Sequence, residues 1–142
     1  MTGLEIREFV AGDIDAALEL WRRTEGIGLS DADQPDSLHE FLSRNAGLSR
    51  VAVSGGNLVG TILCGTDSRR GYIHHLAVAA ESRRKGVGRA LVEAALSALN
   101  RIGIRKCHAF VFQSNSFGDL FWERSGWQRR DELQVYSKVL DA

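Results

Sequence analysis

The sequence contains little proline, little cysteine and no excess of charge of either sign. Its 142 residues include one proline, two cysteines, 18 basic residues and 18 acidic residues, so the formal net charge is 0. With 44% hydrophobic residues, the chain is too apolar for a disordered protein, and we expect one domain over residues 1–142. The lack of net positive charge argues against nucleic acid as the main partner.

The sequence also lacks a membrane segment and an export signal. No run approaches the roughly 20 apolar residues of a membrane helix, and the first residues lack a basic stretch followed by an apolar one. Cys64 and Cys107 lie in apolar, strand-like runs, without a CxxC pair or a histidine at metal-ligand spacing. We therefore expect a cytoplasmic protein with no membrane partner, no metal and two buried free thiols, the alternative being a catalytic thiol.

The order of apolar patterns predicts an α+β (mixed α/β) fold. Apolar residues at helical spacing predict about four helices, one capped by Asp13, one beginning at Pro35, one over residues 86–100 and one over residues 116–125. Alternating patterns predict strands, which we place at residues 4–10, 50–54, 58–65, 71–78, 106–112, 127–130 and 135–140. The last two would form a closing hairpin that could also mediate a homodimer. The whole set would form a mostly antiparallel sheet of six to seven strands.

The densest chemical signal is a cationic, glycine-containing turn between a strand and a helix. Gly86 and Gly88 would let the backbone approach an anion, at a helix end where unpaired N–H groups and the helix dipole favour negative charge. The turn carries one acidic side chain, that of Glu81, and four cationic ones, those of Arg83, Arg84, Lys85 and Arg89. The turn matches neither a dinucleotide fingerprint nor a P-loop, because it lacks the third small residue and a GKS or GKT sequence. We expect it to bind a diphosphate.

The hexapeptide Arg83-Arg84-Lys85-Gly86-Val87-Gly88 resembles the acyl-CoA signature R/Q-x-x-G-x-G/A of the GCN5-related N-acetyltransferases (GNAT). Leu76-Ala77-Val78 is similar to the end of the strand that precedes this signature in the family. Residues 115–127 are similar to its downstream segment N-x-x-A-x-x-F-Y-x-x-x-G-F. Residues 27–33 have a weaker likeness to a bacterial subgroup similar to the acetyltransferase YpeA.

The resemblance implies an enzyme that transfers an acetyl group from acetyl-CoA to a primary amine of a small molecule or a peptide. In such a fold the strands 71–78 and 106–112 are splayed to admit the pantetheine arm, and the amine attacks the thioester directly in a ternary complex. A backbone N–H near Leu76 would stabilise the negative charge on the acetyl oxygen. The cofactor-binding residues implied are Leu76, Ala77, Val78, Arg83, Arg84, Lys85, Gly86, Val87, Gly88, Arg89, Asn115 and Trp122.

Direct attack requires a neutral amine, so a general base is needed. Alternation along the strand predicts Tyr72, His74, Leu76 and Val78 on one face, and His75 on the other. We select His74 as the base because an imidazole pKa of about 6.5 suits proton removal near neutrality. The alternative is that His74 only packs, and we expect His75 to be structural.

The proton donor for the departing CoA thiolate is less clear from the sequence, because Trp122 stands where the family has tyrosine and an indole N–H is not a practical acid. Tyr72, Tyr136 or water would then protonate the thiolate, or it would leave unassisted. Asn115 would bind the pantetheine or cap the helix that follows it.

Acidic residues provide the main clue to the acceptor. Glu25, Asp31 and Asp33 lie where the family builds the acceptor rim, and their charge would attract a cationic amine, although a solvated loop is the alternative. Large aromatic residues are expected to pack in the core; they are Trp21, Phe110, Phe112 and Trp127. A non-catalytic acyl-CoA-binding or regulatory domain is the competing function, since Trp122 could mark lost acid chemistry.

Overall fold

The computed structural model describes residues 3–113 and 115–140, apart from the side chains of residues 116 and 117. Its four α-helices are α1 (Ile14–Arg22), α2 (Pro35–Arg44), α3 (Val87–Arg101) and α4 (Ser116–Arg124). Its five strands are β1 (Leu4–Glu8), β2 (Arg50–Ser54), β3 (Asn57–Thr66), β4 (Gly71–Val78) and β5 (Cys107–Ala109). The predicted α+β class and the four helices are confirmed.

The strands form one mixed sheet in the order β1-β2-β3-β4-β5. The first three pairings are antiparallel, and β4 pairs with β5 in parallel. The β4–β5 pairing joins only Gly71, Tyr72 and Ile73 to β5. The remainder of β4 therefore has no ladder on that side within the described residues, and the two strands separate towards the carboxyl end of β4, as the splayed pair requires.

The prediction of six to seven strands is wrong, since the sheet formed by the described residues has five. The predicted closing hairpin is the missing part, because the structure assigns no strand to residues 127–140. Val135 and Val139 are 74% and 89% exposed, so their β-branched side chains have no surface to cover. Strand propensity describes how a side chain fits a half-buried sheet, and without a paired neighbour it does not create a strand.

The sheet is covered on both faces. On one face lie α1 and α2, where the buried Trp21 donates from Nε1 to Thr61 Oγ1 at 2.8 Å. On the other face α3 packs so closely that a Cβ at Gly71 would lie 2.5 Å from Leu99 Cδ1. In the described part of the chain, no helix is long and apolar enough to cross a membrane.

Candidate active site

An extra residue in β4 shapes the candidate site. Leu63 of β3 pairs with His74, whereas Thr61, two residues away, pairs with Ala77, three residues further along β4. The bulge includes His75, whose φ of 49° lies in the left-handed region that non-glycine residues rarely adopt. Such outliers persist only where surrounding contacts hold them.

The bulge changes which side chains share a face. Directly paired residues point to the same side of a sheet, so Ala77 lies on the side of His74. Val78 lies on the α3 side, where its Cγ2 is 3.7 Å from the Cβ position of Gly88. The prediction that Val78 shares a face with His74 is therefore wrong, because simple alternation assumes a strand without a bulge.

His75 is held on the α1 side, by contacts to both its ring and its backbone. Its ring lies 4.7 Å from that of Trp21, and its Nε2 donates to Asp33 Oδ1 at 2.8 Å. Its carbonyl oxygen accepts from Thr61 Oγ1 at 3.2 Å. The prediction that His75 points away from the His74 face is wrong, but the structural role expected for it fits these contacts.

His74 is half-buried next to an exposed aromatic ring. Its imidazole stacks on Phe110 at 5.7 Å with an interplanar angle of 7°, and meets Phe41 of α2 edge-on at 6.3 Å. Burial lowers the pKa of His74, the neighbouring His75 lowers it further, and Asp33 opposes the shift. The ring is therefore neutral near pH 7 and able to accept a proton.

The Tyr72 side chain lies near the amino end of β4, away from Leu76. Its hydroxyl lies 3.4 Å from Asp67 Oδ2 in the turn before β4, and its ring stacks on Phe110 at 6.3 Å. Leu76 is four residues further along, which is about 13 Å in a strand. This geometry directs the Tyr72 hydroxyl away from the carboxyl end of β4.

The predicted diphosphate turn connects β4 to α3. Arg84 and Gly86 both have positive φ, 65° and 80°, and Gly86 is the N-cap of α3 without any side-chain cap. The first N–H groups of α3 are thus left without an intrahelical partner or a capping side chain. Arg83 Nε donates to the carbonyl of Val78 at 3.1 Å, which ties the turn to the end of β4.

The remaining residues of the predicted cofactor site fall into two groups. The cationic side chains are exposed; they are Arg83, Arg84, Lys85 and Arg89. Val87 and Ala77 are buried, so only their backbones can meet a ligand, while Leu76 and Val78 are half-buried. The turn thus offers backbone donors surrounded by exposed positive charge, which is suited to a diphosphate.

Asn115 caps α4, because its Oδ1 accepts from the N–H of Gly118 at 2.9 Å. Its amide group also contacts the loop between α1 and α2, where a Cβ at Gly26 would lie 2.8 Å from Asn115 Nδ2. Trp122 packs against Trp127 with ring centroids 4.6 Å apart. The N-cap alternative for Asn115 is therefore what the structure shows.

The acidic residues of the α1–α2 loop differ in exposure. Glu25 and Asp31 are exposed, but Asp33 is 8% exposed and both of its oxygens are engaged. One oxygen accepts from His75, and the other accepts from the N–H of Ser30 at 3.0 Å. Asp33 thus fixes the loop to β4 and does not present its charge to solvent.

Two aromatic side chains that were expected to pack in the core are exposed. Phe110 and Phe112 are each 57% exposed, because β5 ends at Ala109 and the chain leaves the sheet there. Phe112 lies over the α1–α2 loop, where a Cβ at Gly28 would be 2.7 Å from its Cζ. Sequence reasoning missed this surface, since an aromatic pair at strand spacing normally indicates a buried strand.

The two thiols are free, as predicted. Cys64 is buried and Cys107 half-buried, and burial raises the pKa of the Cys64 thiol to about 12 and that of Cys107 to about 11. Neither thiol is a nucleophile at neutral pH. No group of three or more His, Cys, Asp or Glu among the described residues could hold a metal ion.

Several solved proteins have this fold. Ard1 from Thermoplasma volcanium superimposes with a TM-score of 0.78 at 22% identity, over 88% of this chain and 82% of that one. The PaiA N-acetyltransferase from Thermoplasma acidophilum, in complex with coenzyme A, gives 0.80 at 21% identity over 92% of each chain. The aminoglycoside acetyltransferase AAC(6')-Iy, in complex with a CoA bisubstrate analogue, gives 0.78 at 17% identity over 98% of this chain and 100% of that one. These likenesses establish the fold.

The family is identified by a match between the sequence and a family model. The model of the acetyltransferase (GNAT) family matches residues 14–127, from the start of α1 to just beyond α4. The chain therefore belongs to the acetyltransferase (GNAT) family. This confirms the predicted family, the predicted acyltransferase activity and acetyl-CoA as co-substrate, whereas the bacterial subgroup suggested by residues 27–33 stays a prediction.

Proposed function

We propose that the protein transfers the acetyl group of acetyl-CoA to a primary amine by direct attack within a ternary complex. The observation that carries the proposal is the adjacency of two features at one end of β4. The uncapped N-terminus of α3 lies beside this end after the turn of residues 79–86, with the Cβ position of Gly88 3.7 Å from Val78 Cγ2. Among the described residues, β5 does not pair with this end of β4. An anion site next to an open strand edge suits a ligand with a diphosphate and an extended amide-containing arm.

The chain's own residues fit CoA in two places. Backbone N–H groups from Arg84 to Arg89 would hold the diphosphate, with the exposed Arg84, Lys85 and Arg89 adding charge. The unpaired edge of β4 at Leu76 to Val78 would bond the pantetheine amides as a neighbouring strand would. Bound acetyl-CoA supplies the activated acetyl group, and a backbone N–H near Leu76 would stabilise charge on the acetyl oxygen.

His74 is the general base of the proposal. Its ring is neutral near pH 7 because burial lowers its pKa, and it borders the exposed Phe110 on the face that α1 and α2 cover. A neutral imidazole there can take a proton from the ammonium form of the acceptor, directly or through one water. Tyr72 is a weaker candidate because its hydroxyl is directed to Asp67.

The acceptor of the proposal is a cationic amine on a small molecule or a peptide. The support is the exposed charge of Glu25 and Asp31 together with the exposed rings of Phe110 and Phe112. Carboxylates attract the ammonium group, and an aromatic face adds cation–π attraction. Asp33 acts differently in this proposal, as the residue that positions the loop carrying Asp31.

The CoA thiolate receives its proton from water in this proposal, or leaves without one. Trp122 packs against Trp127 and has no acidic group, and Tyr136 is 89% exposed on the C-terminal segment. Trp122 is left with a packing role within α4, the helix that Asn115 caps. A cytoplasmic location stays a prediction from the sequence.

The proposal is tested by measuring thiol release from acetyl-CoA with a panel of amines, together with mass spectrometry of the products. The panel should contain cationic diamines, aromatic amines, peptides and lysine. We expect thiol release only with an amine present, and one acetyl group on the product. Stabilisation by CoA without turnover on any amine would favour the competing function, a non-catalytic acyl-CoA-binding domain.

The acceptor assignment has its own test. Neutralising the exposed carboxylates with Glu25→Gln and Asp31→Asn should raise KM for a cationic amine several-fold and leave KM for acetyl-CoA unchanged. Asp15→Asn with Glu19→Gln, on the exposed side of α1, is the matched control for a change in net charge. Equal effects of both pairs would contradict a role of the loop in amine binding.

A further inference from the structure

The hydroxyl of Thr61 lies between α1 and the bulge of β4, and the whole residue is buried at 0% exposure. Its Oγ1 accepts a hydrogen bond from Trp21 Nε1 at 2.8 Å and donates one to the carbonyl oxygen of His75 at 3.2 Å. The directions of both bonds are fixed, because an indole N–H can only donate and a carbonyl oxygen can only accept. The hydroxyl proton of Thr61 is therefore directed to His75.

The hydrogen bond to the His75 carbonyl sets the direction of the next N–H group along the chain. The peptide group between His75 and Leu76 is trans and planar, so its C=O and its N–H point to opposite sides. The C=O points to Thr61 of β3, and the N–H of Leu76 therefore points away from β3. It is directed to the edge of β4 that has no β5 ladder within the described residues, where the acetyl group of acetyl-CoA would lie.

The backbone at His75 needs such a contact to keep its conformation. A φ of 49° at a non-glycine residue persists only where the surroundings hold it. The His75 ring is held by Trp21, at 4.7 Å between ring centroids, and by Asp33 Oδ1, at 2.8 Å from Nε2. The Thr61 hydroxyl is different, because it holds the peptide group itself. Its loss would leave the ring contacts in place and release the peptide group that carries the Leu76 N–H.

The same two hydrogen bonds make the Leu76 N–H a stronger donor. A peptide carbonyl that accepts a hydrogen bond becomes more polarised, and the N–H of that peptide group then donates more strongly. Trp21 adds to this effect, since its N–H polarises the Thr61 hydroxyl. Trp21 and Thr61 are 1% and 0% exposed, so both bonds lie in an interior where water does not weaken them.

We propose that Thr61 and Trp21 are positioning residues for the acetyl transfer, a role that rests on the proposed function. Thr61 holds the His75 carbonyl, Trp21 holds the Thr61 hydroxyl, and the Leu76 N–H stays directed at the acetyl oxygen. Both side chains are buried and act only through the backbone of β4. Negative charge develops on the acetyl oxygen as the amine attacks, so a misdirected N–H slows the reaction more than it weakens acetyl-CoA binding.

The first test compares two substitutions at Thr61 that differ in the hydroxyl. Thr61→Val keeps the shape of the side chain without the hydroxyl, and it should lower kcat at least about tenfold while KM for acetyl-CoA changes less than about threefold. Thr61→Ser keeps the hydroxyl and should have a kcat close to that of the wild type. A Thr61→Ser enzyme as slow as Thr61→Val would overturn the role of the hydroxyl.

Ser49→Ala is the matched control for the loss of a buried hydroxyl from the sheet. Ser49 is 2% exposed, and its Oγ accepts from the N–H of Cys64 at 2.9 Å. This variant should lose stability, as Thr61→Val does, because each leaves a buried N–H without its acceptor. Its kcat should stay at the wild-type value. A kcat as low in Ser49→Ala as in Thr61→Val would show that lost stability explains both, and would overturn the proposal.

The second test observes the hydrogen bond to the acetyl oxygen without turnover. Acetyl-CoA with an isotopic label at its thioester carbonyl carbon is bound in the absence of an amine, and infrared difference spectroscopy isolates the stretch of that C=O. On the wild type we expect a lower wavenumber than in water, because a directed N–H weakens the C=O bond. The shift should be smaller on Thr61→Val and of wild-type size on Thr61→Ser.

The outcomes separate the positioning role from the function on which it rests. Wild-type protein that does not bind acetyl-CoA, or binds it without the shift, would overturn the proposed oxyanion contact and the role of Thr61 with it. A wild-type shift that Thr61→Val retains in full would overturn the role of Thr61 alone. If Thr61→Val fails to fold, Trp21→Phe replaces it in both tests, with a decrease in kcat and in the shift as the expected result and wild-type values as the contradiction.

Discussion

His75 Nε2 lies 2.8 Å from Asp33 Oδ1, and this contact joins the bulge of β4 to the loop between α1 and α2. The side chains of His75 and Asp33 are 17% and 8% exposed, so their polar atoms have little access to water. Thr61 holds the backbone of the same histidine from β3. The acceptor side of the proposed active site and the strand that carries His74 are therefore one connected unit.

Removing Asp33 should destabilise the fold. Asp33→Ala leaves a buried imidazole N–H and the Ser30 N–H without an acceptor, which costs about 1–3 kcal/mol in the free energy of unfolding. Asp31→Ala, on the exposed neighbour, is the matched control and should change it by less than about 0.5 kcal/mol. Urea denaturation measures both, and equal stabilities would mean that the His75–Asp33 contact does not hold the bulge.

His74→Ala should lower kcat/KM for the amine by roughly 10²–10⁴-fold at pH 7, because a positioned general base contributes about that factor. The base acts when neutral, so wild-type activity should fall as the pH drops through the pKa of His74. Burial lowers that pKa, which places the acidic limb below about pH 6.5.

The variant should lose this acidic limb, and the measurement is a pH profile of kcat/KM from pH 5 to 9. His39→Ala, at an exposed position on α2, is the control and should leave the profile unchanged. A profile of His74→Ala with the wild-type shape and height would show that His74 only packs against Phe110 and Phe41.

The thiols of Cys64 and Cys107 should react slowly in the folded protein. Burial raises their pKa values to about 12 and about 11, so the thiolate fraction at pH 8 is very small. A thiol reagent should label both cysteines in urea and neither within minutes in buffer. Fast labelling of Cys107 under native conditions would contradict the burial described for it.

Local patterns predicted the parts of the fold that depend on neighbours in sequence. The glycine-containing turn before α3, the apolar stripe of that helix and the strand that carries His74 can all be read within a dozen residues. Local patterns could not predict contacts between residues that are distant in sequence. The bulge at His75 needs Trp21, Asp33 and Thr61, and the Trp21–Thr61 and Asp33–His75 contacts span 40 and 42 positions in sequence.

The C-terminal segment shows that a local pattern can also predict a strand that does not form. Its alternating β-branched residues predict a strand, but the structure assigns none there. Leu133 N donates to Arg130 O in a turn whose central residues, Asp131 and Glu132, lack the positive φ of a tight two-residue hairpin. Likewise residue type predicts Phe110 and Phe112 in the core, whereas the early end of β5 leaves them on the surface. Residue type predicts whether a segment can form a strand. Whether that strand pairs with the sheet depends on the rest of the chain.

The central claim is that the N-terminus of α3 holds acetyl-CoA, and the most direct test compares two glycine variants by calorimetric titration. Gly86 and Gly47 have φ of 80° and 83°, and a Cβ at either would meet nothing within 4 Å, so glutamate causes similar backbone strain at both. Only Gly86→Glu puts a carboxylate at the proposed diphosphate site. We predict that the wild type binds acetyl-CoA but neither NAD nor ATP with comparable affinity, that Gly86→Glu weakens acetyl-CoA binding at least tenfold, and that Gly47→Glu does not. Equal acetyl-CoA affinity in both variants would contradict the account.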